Sequence, residues 1–348
     1  MGQVVRFAAP GHVVLVEEPE RAPAADEVRL RTRYSGISAG TELTAYRGSN
    51  PYLSRRWDPE RRLFVIGDAS YAYPLDGWGY EEVGRVVEVG RAVDPALLGR
   101  MVWGTWGHRA THVVTGAYAE TRLLSADFDP LWAIFARIGA IALNGLHDAE
   151  VNLGETIAVF GLGVPGLLMT QLCLLSGVQV LAVDGIEDRL TLARRFGATE
   201  AIDFRQGDPA ERIRALTGGR GADTSIEVSG SHAALQQAIR STAYNSRVVC
   251  VGFLQGEGAA LRLGEEFHHN RIQLISSQTS GVSARSAHRW DRERLERTVM
   301  HLIADKRLDV GALVTHVLPV AEAGAAFALL DRGGEGALQV VLDFGDDG

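Results

Sequence analysis

Cysteine is scarce in this chain. Only Cys173 and Cys250 occur among its 348 residues, one in a predicted buried helix and one in a predicted buried strand. Two thiols cannot build a four-cysteine structural zinc site, so that class of site is excluded. We interpret both cysteines as small core residues of a protein that stays in a reducing compartment, the cytoplasm.

Long apolar runs and an excess of positive charge are also missing. Residues 167–183 form the most apolar stretch, but polar residues and a glycine divide it into a helix and a strand, which argues against a membrane span. Charged and polar residues interrupt the first twenty positions, a pattern unlike a signal peptide. The net charge of −8 at pH 7 disfavours nucleic acid and anionic membranes as partners, because both bind basic surfaces.

The composition that remains is that of an ordinary globular protein. Hydrophobic residues make up 46% and charged residues 22% of the chain, which is typical of a soluble domain structure. The length predicts about two domains. Forty glycines against eleven prolines favour an α/β protein with many tight turns.

The hydrophobic pattern divides the chain. In the first 120 residues, strand-like runs alternate with proline and glycine turns, which predicts a β-rich opening domain whose later strands include 117–120. From residue 155 onward, short apolar runs alternate with helical segments, and this alternation predicts a parallel sheet with helices on both faces. The predicted strands of that sheet lie near 156–160, 178–183, 200–204, 224–228, 247–252 and 272–277.

Residues 155–189 carry a dinucleotide-binding pattern. A predicted buried strand, Thr156–Phe160, leads into a G-x-G-x-x-G motif and then into an apolar helix. In this motif the first glycine makes the tight turn, the second lets the backbone approach a pyrophosphate, and the third allows close packing of helix and strand. The helix N-terminus would bind the phosphates. The loop residues expected to contact the cofactor are Gly161, Gly163, Val164, Pro165 and Gly166.

The second strand of the pattern ends at Asp184. A carboxylate at this position would accept hydrogen bonds from the adenosine ribose hydroxyls and would repel a 2′-phosphate. No basic residue follows it directly, and Arg189 is the nearest one. We therefore predict NAD rather than NADP as the cofactor, with Arg189 as a further contact.

Three segments resemble one family. Gly36–Glu42 (GISAGTE) is similar to a G-I-C-x-T-D element, Gly79–Val86 (GYEEVGRV) to G-H-E-x-x-G-x-V, and Gly154–Gly166 (GETIAVFGLGVPG) to a cofactor strand with its glycine loop. On these marks, nearly the whole chain resembles the medium-chain dehydrogenases/reductases. The first element resembles the branch that contains bacteriochlorophyllide dehydrogenase, but it does not imply a pigment substrate.

The resemblance implies a fold of two domains. Residues 1–130 and 285–348 would form a GroES-like, β-rich catalytic domain, and residues 131–284 a Rossmann domain with a doubly wound parallel sheet. The active site would lie in the cleft between them. Further cofactor contacts implied by the resemblance are Ser229, Gly252, Phe253, Ser277 and Gln278.

The residues that bind catalytic zinc in this family are replaced. Zinc-dependent members use a cysteine, a histidine with its adjoining glutamate in some cases, and a second cysteine. Here these positions hold Ser38 or Ala39, Tyr80 and Ala136, and only Glu81 remains. One carboxylate cannot hold a catalytic zinc. We therefore expect a zinc-independent member with no bound metal.

A substitute metal site would have to use other residues. Glu42, Glu81, His108 and His112 are the available ligands, and the spacing of the two histidines suits a helix. Both histidines lie next to predicted strands, where residues four apart share a face but are far from each other. A pocket-lining or hydrogen-bonding role for His108 is therefore favoured over a metal site.

Without zinc, hydrogen-bond donors must polarise the substrate oxygen and exchange its proton. Thr41 matches the family's Ser/Thr proton-relay position, although Thr44 stands about where the relay's usual histidine would be. Tyr80 would place a phenol at the metal position, unless it is only a packing aromatic there. His108 is the third catalytic candidate. The expected substrate pocket comprises Ser38, Trp106 and Trp57.

Three functions fit these features. The favoured one is an NAD-linked oxidoreductase of a small-molecule alcohol or ketone. The alternatives are a zinc-free reductase of enones or quinones, and a nicotinamide-binding protein without turnover. We also predict a homodimer or homotetramer, because the last predicted Rossmann strand, Arg271–Ser277, would expose a sheet edge in a monomer.

Overall fold

The computed structural model of the chain describes residues 1–333 and 336–345. The chain forms two compact units, Met1–Arg137 with Leu313–Gly348, and Ile138–Ala312. The predicted range 285–348 includes five residues that lie outside the described ones. No helix among the described residues is long and apolar enough to cross a membrane.

The first unit opens with β-structure. Strand β3 (Glu27–Ile37) has alternating buried positions and pairs in antiparallel fashion with β6 (Glu82–Val89) and β8 (Thr111–Thr115). The predicted strand at 117–120 is wrong: this segment is helix α2, because the Thr115 hydroxyl accepts a hydrogen bond from the Tyr118 amide and caps a helical turn. The elements in chain order are β1 (Gly2–Ala9), β2 (His12–Glu18), β3 (Glu27–Ile37), α1 (Ala39–Arg47), β4 (Arg56–Asp58), β5 (Leu63–Val65), β6 (Glu82–Val89), β7 (Met101–Gly104), β8 (Thr111–Thr115) and α2 (Gly116–Glu120).

The second unit contains the predicted parallel sheet. Its six strands run in the spatial order β11-β10-β9-β12-β13-β14, and every neighbouring pair is parallel. This doubly wound sheet confirms the predicted α/β fold. The elements are α3 (Phe135–Ala149), β9 (Thr156–Phe160), α4 (Val164–Leu175), β10 (Gln179–Asp184), α5 (Glu187–Phe196), β11 (Glu200–Asp203), α6 (Pro209–Leu216), β12 (Ala222–Glu227), α7 (His232–Ser241), β13 (Thr242–Cys250), β14 (Gln273–Ser276) and α8 (Arg292–Ala304).

The second unit extends well beyond residue 284, the predicted end of the Rossmann domain, because it includes helix α8. The helix packs so closely on α3 that a Cβ added at Gly139 would lie 2.5 Å from Val299 Cγ1. Its inward residues Leu295 and Val299 are buried. The unit therefore reaches Ala312.

The end of the chain returns to the first unit through β15 (Val314–Pro319), α9 (Ala323–Asp331) and β16 (Gln339–Asp343). Strand β16 pairs in antiparallel fashion with β3 and in parallel with β15. Phe327 of α9 packs edge-to-face on Phe7, with ring centroids 5.0 Å apart. Both chain ends therefore build one β-rich sheet and one core, as the resemblance implies.

Candidate active site and cofactor site

Three of the predicted side chains meet at the start of α1. Ser38 is the N-cap residue of the helix but makes no side-chain capping bond. Its hydroxyl instead forms a hydrogen bond with the Tyr80 hydroxyl. The Tyr80 hydroxyl also donates to Thr41 Oγ1 at 3.3 Å. Ser38, Thr41 and Tyr80 thus form a hydroxyl cluster.

Tyr80 is neutral in this cluster. Burial raises the pKa of its phenol well above the usual value, and the neighbouring Glu81 raises it further. The hydroxyls of Ser38 and Thr41 lower the pKa, but their effect is smaller. A neutral phenol donates a hydrogen bond and can pass on a proton. Tyr80 can therefore act as a donor toward an oxygen atom.

His108 is completely buried and both of its ring nitrogens have protein partners. Nε2 lies 2.5 Å from Glu42 Oε2, and Nδ1 lies 2.6 Å from Ser35 Oγ. Burial lowers the pKa of His108, but the charges of Glu42 and Glu82 raise it more, so the net shift is upward. The imidazole has no nitrogen free for a substrate, which differs from the predicted direct role.

Glu42 and Glu82 connect His108 to the surrounding backbone. The Ser38 amide donates to Glu42 Oε1 at 2.8 Å. The Trp106 amide donates to Glu82 Oε2 at 2.6 Å, and Ser35 Oγ donates to Glu82 Oε1 at 3.1 Å. Since Ser35 gives its proton to Glu82, Nδ1 of the histidine must donate to Ser35. Ser35, Glu42, Glu82 and His108 form a buried network that holds the N-terminus of α1.

Glu81 lies between these groups. Its side chain is only 1% exposed. Oε2 accepts a hydrogen bond from Gln339 Nε2 at 3.2 Å, whereas Oε1 has no partner among the described residues. Burial, followed by the charges of Glu42 and Glu82, raises the pKa of Glu81 well above its usual value. Burial and the neighbouring carboxylates therefore favour the neutral form of this carboxyl.

The two predicted pocket tryptophans lie elsewhere in the first unit. Trp106 is 6% exposed, and its indole N–H donates to Thr32 Oγ1 at 2.9 Å. Its ring stacks on His112, with centroids 6.3 Å apart. Trp57 lies on β4 and packs against Phe64 at 4.9 Å. Trp106 is therefore a core residue of the first unit, and the ring contact of Trp57 is with Phe64.

The family's zinc positions do not suit zinc in this chain. Ser38 and Tyr80 offer neutral hydroxyls that bond to each other, and Ala136 has no donor atom. Zinc takes thiolate, imidazole and carboxylate ligands. Across residues 1–333 and 336–345, no three His, Cys, Asp or Glu side chains are arranged to hold a metal ion. Two residues of the substitute ligand set, His108 and Glu42, bond to each other.

In the second unit, each glycine of the motif has the predicted environment. Gly161 has φ +92°, and a Cβ there would lie 2.6 Å from Ser229 Cβ. A Cβ at Gly166 would lie 1.9 Å from the Gly161 carbonyl oxygen. A Cβ at Gly163 would meet only Pro165 Cδ, at 3.9 Å, and Gly163 precedes α4, whose first turn contains Val164 and Pro165 and has no side-chain cap. The amides of this turn are available to an anion.

Asp184 is held at the tip of β10 by backbone amides. Oδ1 accepts from Gly185 at 2.7 Å and from Ile186 at 2.9 Å, and Oδ2 accepts from Leu162 at 2.7 Å. Arg189 Nη1 lies 3.9 Å from Oδ2. Oδ2 retains one lone pair for a ribose hydroxyl, and Arg189 is the basic side chain beside it.

Glu227 at the tip of β12 organises the next loop and was not anticipated from the sequence. Its Oε1 accepts hydrogen bonds from the Ser229 amide at 2.7 Å and the Gly230 amide at 3.0 Å. The Ser229 hydroxyl also donates to Oε1. Gly252 lies so close that a Cβ there would be 2.2 Å from the Gly230 nitrogen. The signal that could have identified Glu227 was an acidic residue near the end of the predicted strand 224–228.

The remaining predicted cofactor residues follow the later strands. Phe253 is exposed after β13. Ser277 follows β14, and its hydroxyl accepts from Asn144 Nδ2 at 3.3 Å. Gln278 accepts from the Ser280 amide through its side-chain oxygen. These residues stand at the carboxyl ends of parallel strands, the edge where such sheets bind ligands.

Known proteins resemble the chain over nearly its full length. Residues 165–297 match the family model described as zinc-binding dehydrogenase, a range that excludes all the zinc positions discussed above. D-guloside 3-dehydrogenase of Escherichia coli (strain K12) is 29% identical over 326 residues, which cover 92% of this chain and 93% of that protein. An alcohol dehydrogenase of Cupriavidus necator is 31% identical over 376 residues, with 97% of each chain covered.

Solved structures share the fold. A short chain alcohol dehydrogenase from E. coli CFT073, complexed with NADH, superposes with a TM-score of 0.77 at 19% identity and covers 99% of both chains. A putative zinc-binding dehydrogenase from Sinorhizobium meliloti 1021, bound to NADP, gives the same TM-score, identity and coverage. At these identities the likeness establishes the architecture.

Proposed function

Because the chain belongs to the medium-chain dehydrogenase/reductase superfamily, we propose that it is an NAD-dependent oxidoreductase that interconverts an alcohol and a ketone without zinc. The observation that carries this proposal is the hydroxyl cluster of Ser38, Thr41 and Tyr80. It stands at the positions where zinc-dependent relatives hold the metal. Hydroxyl donors at this place can perform the task that zinc performs as a Lewis acid.

The residues of the second unit fit a nicotinamide dinucleotide. The uncrowded backbone at Gly163 and the uncapped first turn of α4 suit a pyrophosphate. Asp184 Oδ2 would accept a hydrogen bond from the adenosine ribose, and Ser229, Gly252, Phe253, Ser277 and Gln278 would contact the rest of the cofactor. When bound, the nicotinamide supplies hydride exchange.

The hydroxyl cluster would bind the substrate oxygen. Tyr80 is partly exposed, and its phenol, which donates to Thr41 here, can turn its one O–H to a substrate oxygen instead. The developing alkoxide is stabilised by this donor, and the proton moves through the same hydrogen bond. Thr41 holds the phenol in place and offers a second hydroxyl. The buried network around His108 positions the helix that carries both Ser38 and Thr41.

A secondary hydroxyl of a sugar or polyol is the substrate class that we propose. The relative that acts on D-gulosides matches this chain across nearly its whole length. Hydroxyl donors suit a substrate rich in hydroxyls, because each can exchange donor and acceptor roles. Both cysteines are free thiols, which supports the proposed cytoplasmic location.

A substrate screen tests the proposal. Purified protein would be incubated with NAD or NADP and with glycosides, polyols, cyclitols and simple secondary alcohols, and nicotinamide absorbance would be followed. Enones and quinones with NADH or NADPH form the comparison set. We expect NAD reduction with at least one hydroxyl substrate. Activity on the comparison set alone would favour the enone reductase, and dinucleotide binding without any turnover would favour a binding protein.

A further inference from the structure

We propose that Glu227 is a positioning residue for the nicotinamide half of the cofactor: it fixes the loop 229–231 and, through that loop, the two glycine turns beside it. This inference rests on the proposed function and deepens it. The side chain of Glu227 is completely buried, so its carboxyl does not touch the cofactor. It acts through the residues that it holds.

The carboxyl of Glu227 holds loop 229–231 by its backbone and by one side chain. Oε1 accepts hydrogen bonds from the Ser229 amide at 2.7 Å and the Gly230 amide at 3.0 Å, and the Gly230 amide also lies 3.2 Å from Oε2. The Ser229 hydroxyl donates to Oε1 as well. The same hydroxyl accepts from the Ser231 amide at 3.1 Å. Every amide of the loop is therefore bonded to Glu227, either directly or through one hydroxyl.

Two glycine turns pack against this loop. A Cβ at Gly161, the first glycine of the motif, would lie 2.8 Å from the Ser229 nitrogen, and a Cβ at Gly252 would lie 2.2 Å from the Gly230 nitrogen. The Cβ at Gly252 would also lie 2.6 Å from Glu227 Oε2. Backbone segments packed this closely cannot move independently. The position of the loop therefore determines where both turns lie.

The place of Glu227 in the sheet indicates which half of the cofactor is affected. Strand β9 lies between β10 and β12, and dinucleotides bind across such a sheet at the carboxyl ends of its strands, where the strand order reverses. Asp184 at the end of β10 is the proposed contact of the adenosine ribose. Glu227 ends β12 on the other side of β9, and Gly252 follows β13. The nicotinamide half would therefore lie over β12 and β13.

Glu227 also removes a competing anion site. The amides of Ser229 and Gly230 precede α7 and could bind a phosphate, but the carboxyl occupies both. The N-terminus of α7 is capped by the Ser231 hydroxyl, which accepts from the Ala234 amide. Helix α4 has no such side-chain cap. The pyrophosphate is thereby directed to α4, and loop 229–231 is left to the ribose and nicotinamide beyond it.

Other bonds hold the adenosine half of the site. Asp184 Oδ2 accepts from the Leu162 amide at 2.7 Å, and the Gly161 amide donates to the Val183 carbonyl at 2.9 Å. These bonds join the glycine turn to β10 without Glu227. A change at Glu227 should therefore weaken a ligand that extends to the nicotinamide side more than one that ends at the adenosine phosphate. NAD and AMP are such a pair.

Glu227→Met and Glu227→Gln separate the acceptor role from packing. Both side chains are close to glutamate in length, but only glutamine keeps an oxygen that can accept from Ser229 and Gly230. In Glu227→Met the loop loses these bonds and must be ordered when the cofactor binds. We expect calorimetry without substrate to show a Kd for NAD raised about ten- to a hundredfold. Glu227→Gln should recover most of this affinity, and the Kd for AMP should change little in either variant.

Ser225→Ala is the matched control. Ser225 lies two residues earlier on β12, is completely buried, and accepts a hydrogen bond from Thr242 Oγ1 at 2.8 Å. Its loss should lower the free energy of unfolding in urea and leave both Kd values unchanged. Gly252→Ala is a second variant for the case that Glu227→Met does not fold. Its Cβ would displace the Gly230 backbone, so it should weaken NAD more than AMP while Glu227 stays in place.

Three results would overturn the proposal. They are equal losses of AMP and NAD affinity in Glu227→Met, which would show that Glu227 only supports the fold, a wild-type Kd for NAD in that variant, and a Glu227→Gln protein as weak as Glu227→Met. In each case, turnover by the wild type would leave the proposed function intact. A wild type without turnover on any substrate, together with the selective loss of NAD affinity, would contradict the proposed function and support the positioning role.

Discussion

At the scale of single residues, a substitution of Tyr80 can separate a catalytic role of its hydroxyl from a packing role of its ring. Tyr80→Phe keeps the ring but removes the hydroxyl that bonds to Ser38 and Thr41. Loss of one preorganised donor to a developing alkoxide costs about a hundred- to a thousandfold in kcat. We expect that fall, with the Kd for NAD unchanged by fluorescence titration. A Tyr80→Phe enzyme with most of its activity would show that the ring only fills the former metal site.

His108 provides a second residue-scale prediction, on stability. Its folded pKa is raised by Glu42 and Glu82, so its stabilisation is present below the unfolded value of about 6.5 and is lost as pH rises through the raised pKa. Breaking a buried pair costs about 3–5 kcal/mol. His108→Gln should therefore lower the unfolding free energy most at pH 6, and the gap to wild type should narrow toward pH 9.

His112 is the matched control for that experiment. Burial, with the charges of Arg109 and Arg21, lowers its folded pKa to about 4. Wild type therefore loses stability through this group as pH falls from about 6.5 towards 4, and His112→Gln should reduce that acid sensitivity. If His108→Gln gave the same pH trend as His112→Gln, the imidazole of His108 would be neutral in the folded protein.

At the scale of elements, the sequence predicted features set by neighbouring residues but not contacts between residues far apart in the chain. The strand, glycine turn and helix from β9 to α4 lie within twenty residues, so their spacing alone predicted them. Thr41 and Tyr80 could be named as candidates because the family resemblance aligns them, but the bonds that join their hydroxyls with Ser38 were not predicted. The bond between His108 and Glu42 joins residues 66 positions apart, and no local pattern reports such a contact. The strand predicted at 117–120 was wrong because the Thr115 hydroxyl caps a helical turn there, although the preceding residues form a strand.

The turn between β10 and α5 carries the prediction on cofactor choice. Asp184 keeps one lone pair of Oδ2 for a ribose hydroxyl, while Arg189 lies 3.9 Å away. A hydrogen bond to a charged group contributes about 1.5–3 kcal/mol, so we expect kcat/KM to favour NAD over NADP by at least tenfold. Arg189→Ala should reduce the use of NADP more than that of NAD. A wild-type preference for NADP that Arg189→Ala abolishes would show that the arginine outweighs the carboxylate.

At the scale of the whole molecule, the residues at the family's zinc positions lead to a prediction about metal content. Ser38, Tyr80 and Ala136 replace the ligands that zinc requires. We expect purified protein to contain no stoichiometric zinc by elemental analysis and to keep its activity in EDTA. Copurification of one equivalent of metal, with activity lost on chelation and restored by zinc, would contradict this and would place a metal among Glu42, Glu81, His108 and His112.

Association of two or more copies is the last prediction. Strand β14 ends the parallel sheet and pairs only with β13 in the described structure. Leu274 on this strand is 36% exposed. An unpaired edge with an exposed apolar side chain is normally covered by another strand or chain. We therefore expect a homodimer or homotetramer by light scattering at micromolar concentration.

Leu274→Lys should shift the mass toward the monomer, because a charge on an edge opposes pairing. Leu216→Lys, at a leucine 40% exposed on α6, should not. A wild-type protein with monomer mass would contradict the prediction, and the edge of the sheet at β14 would then be exposed to solvent.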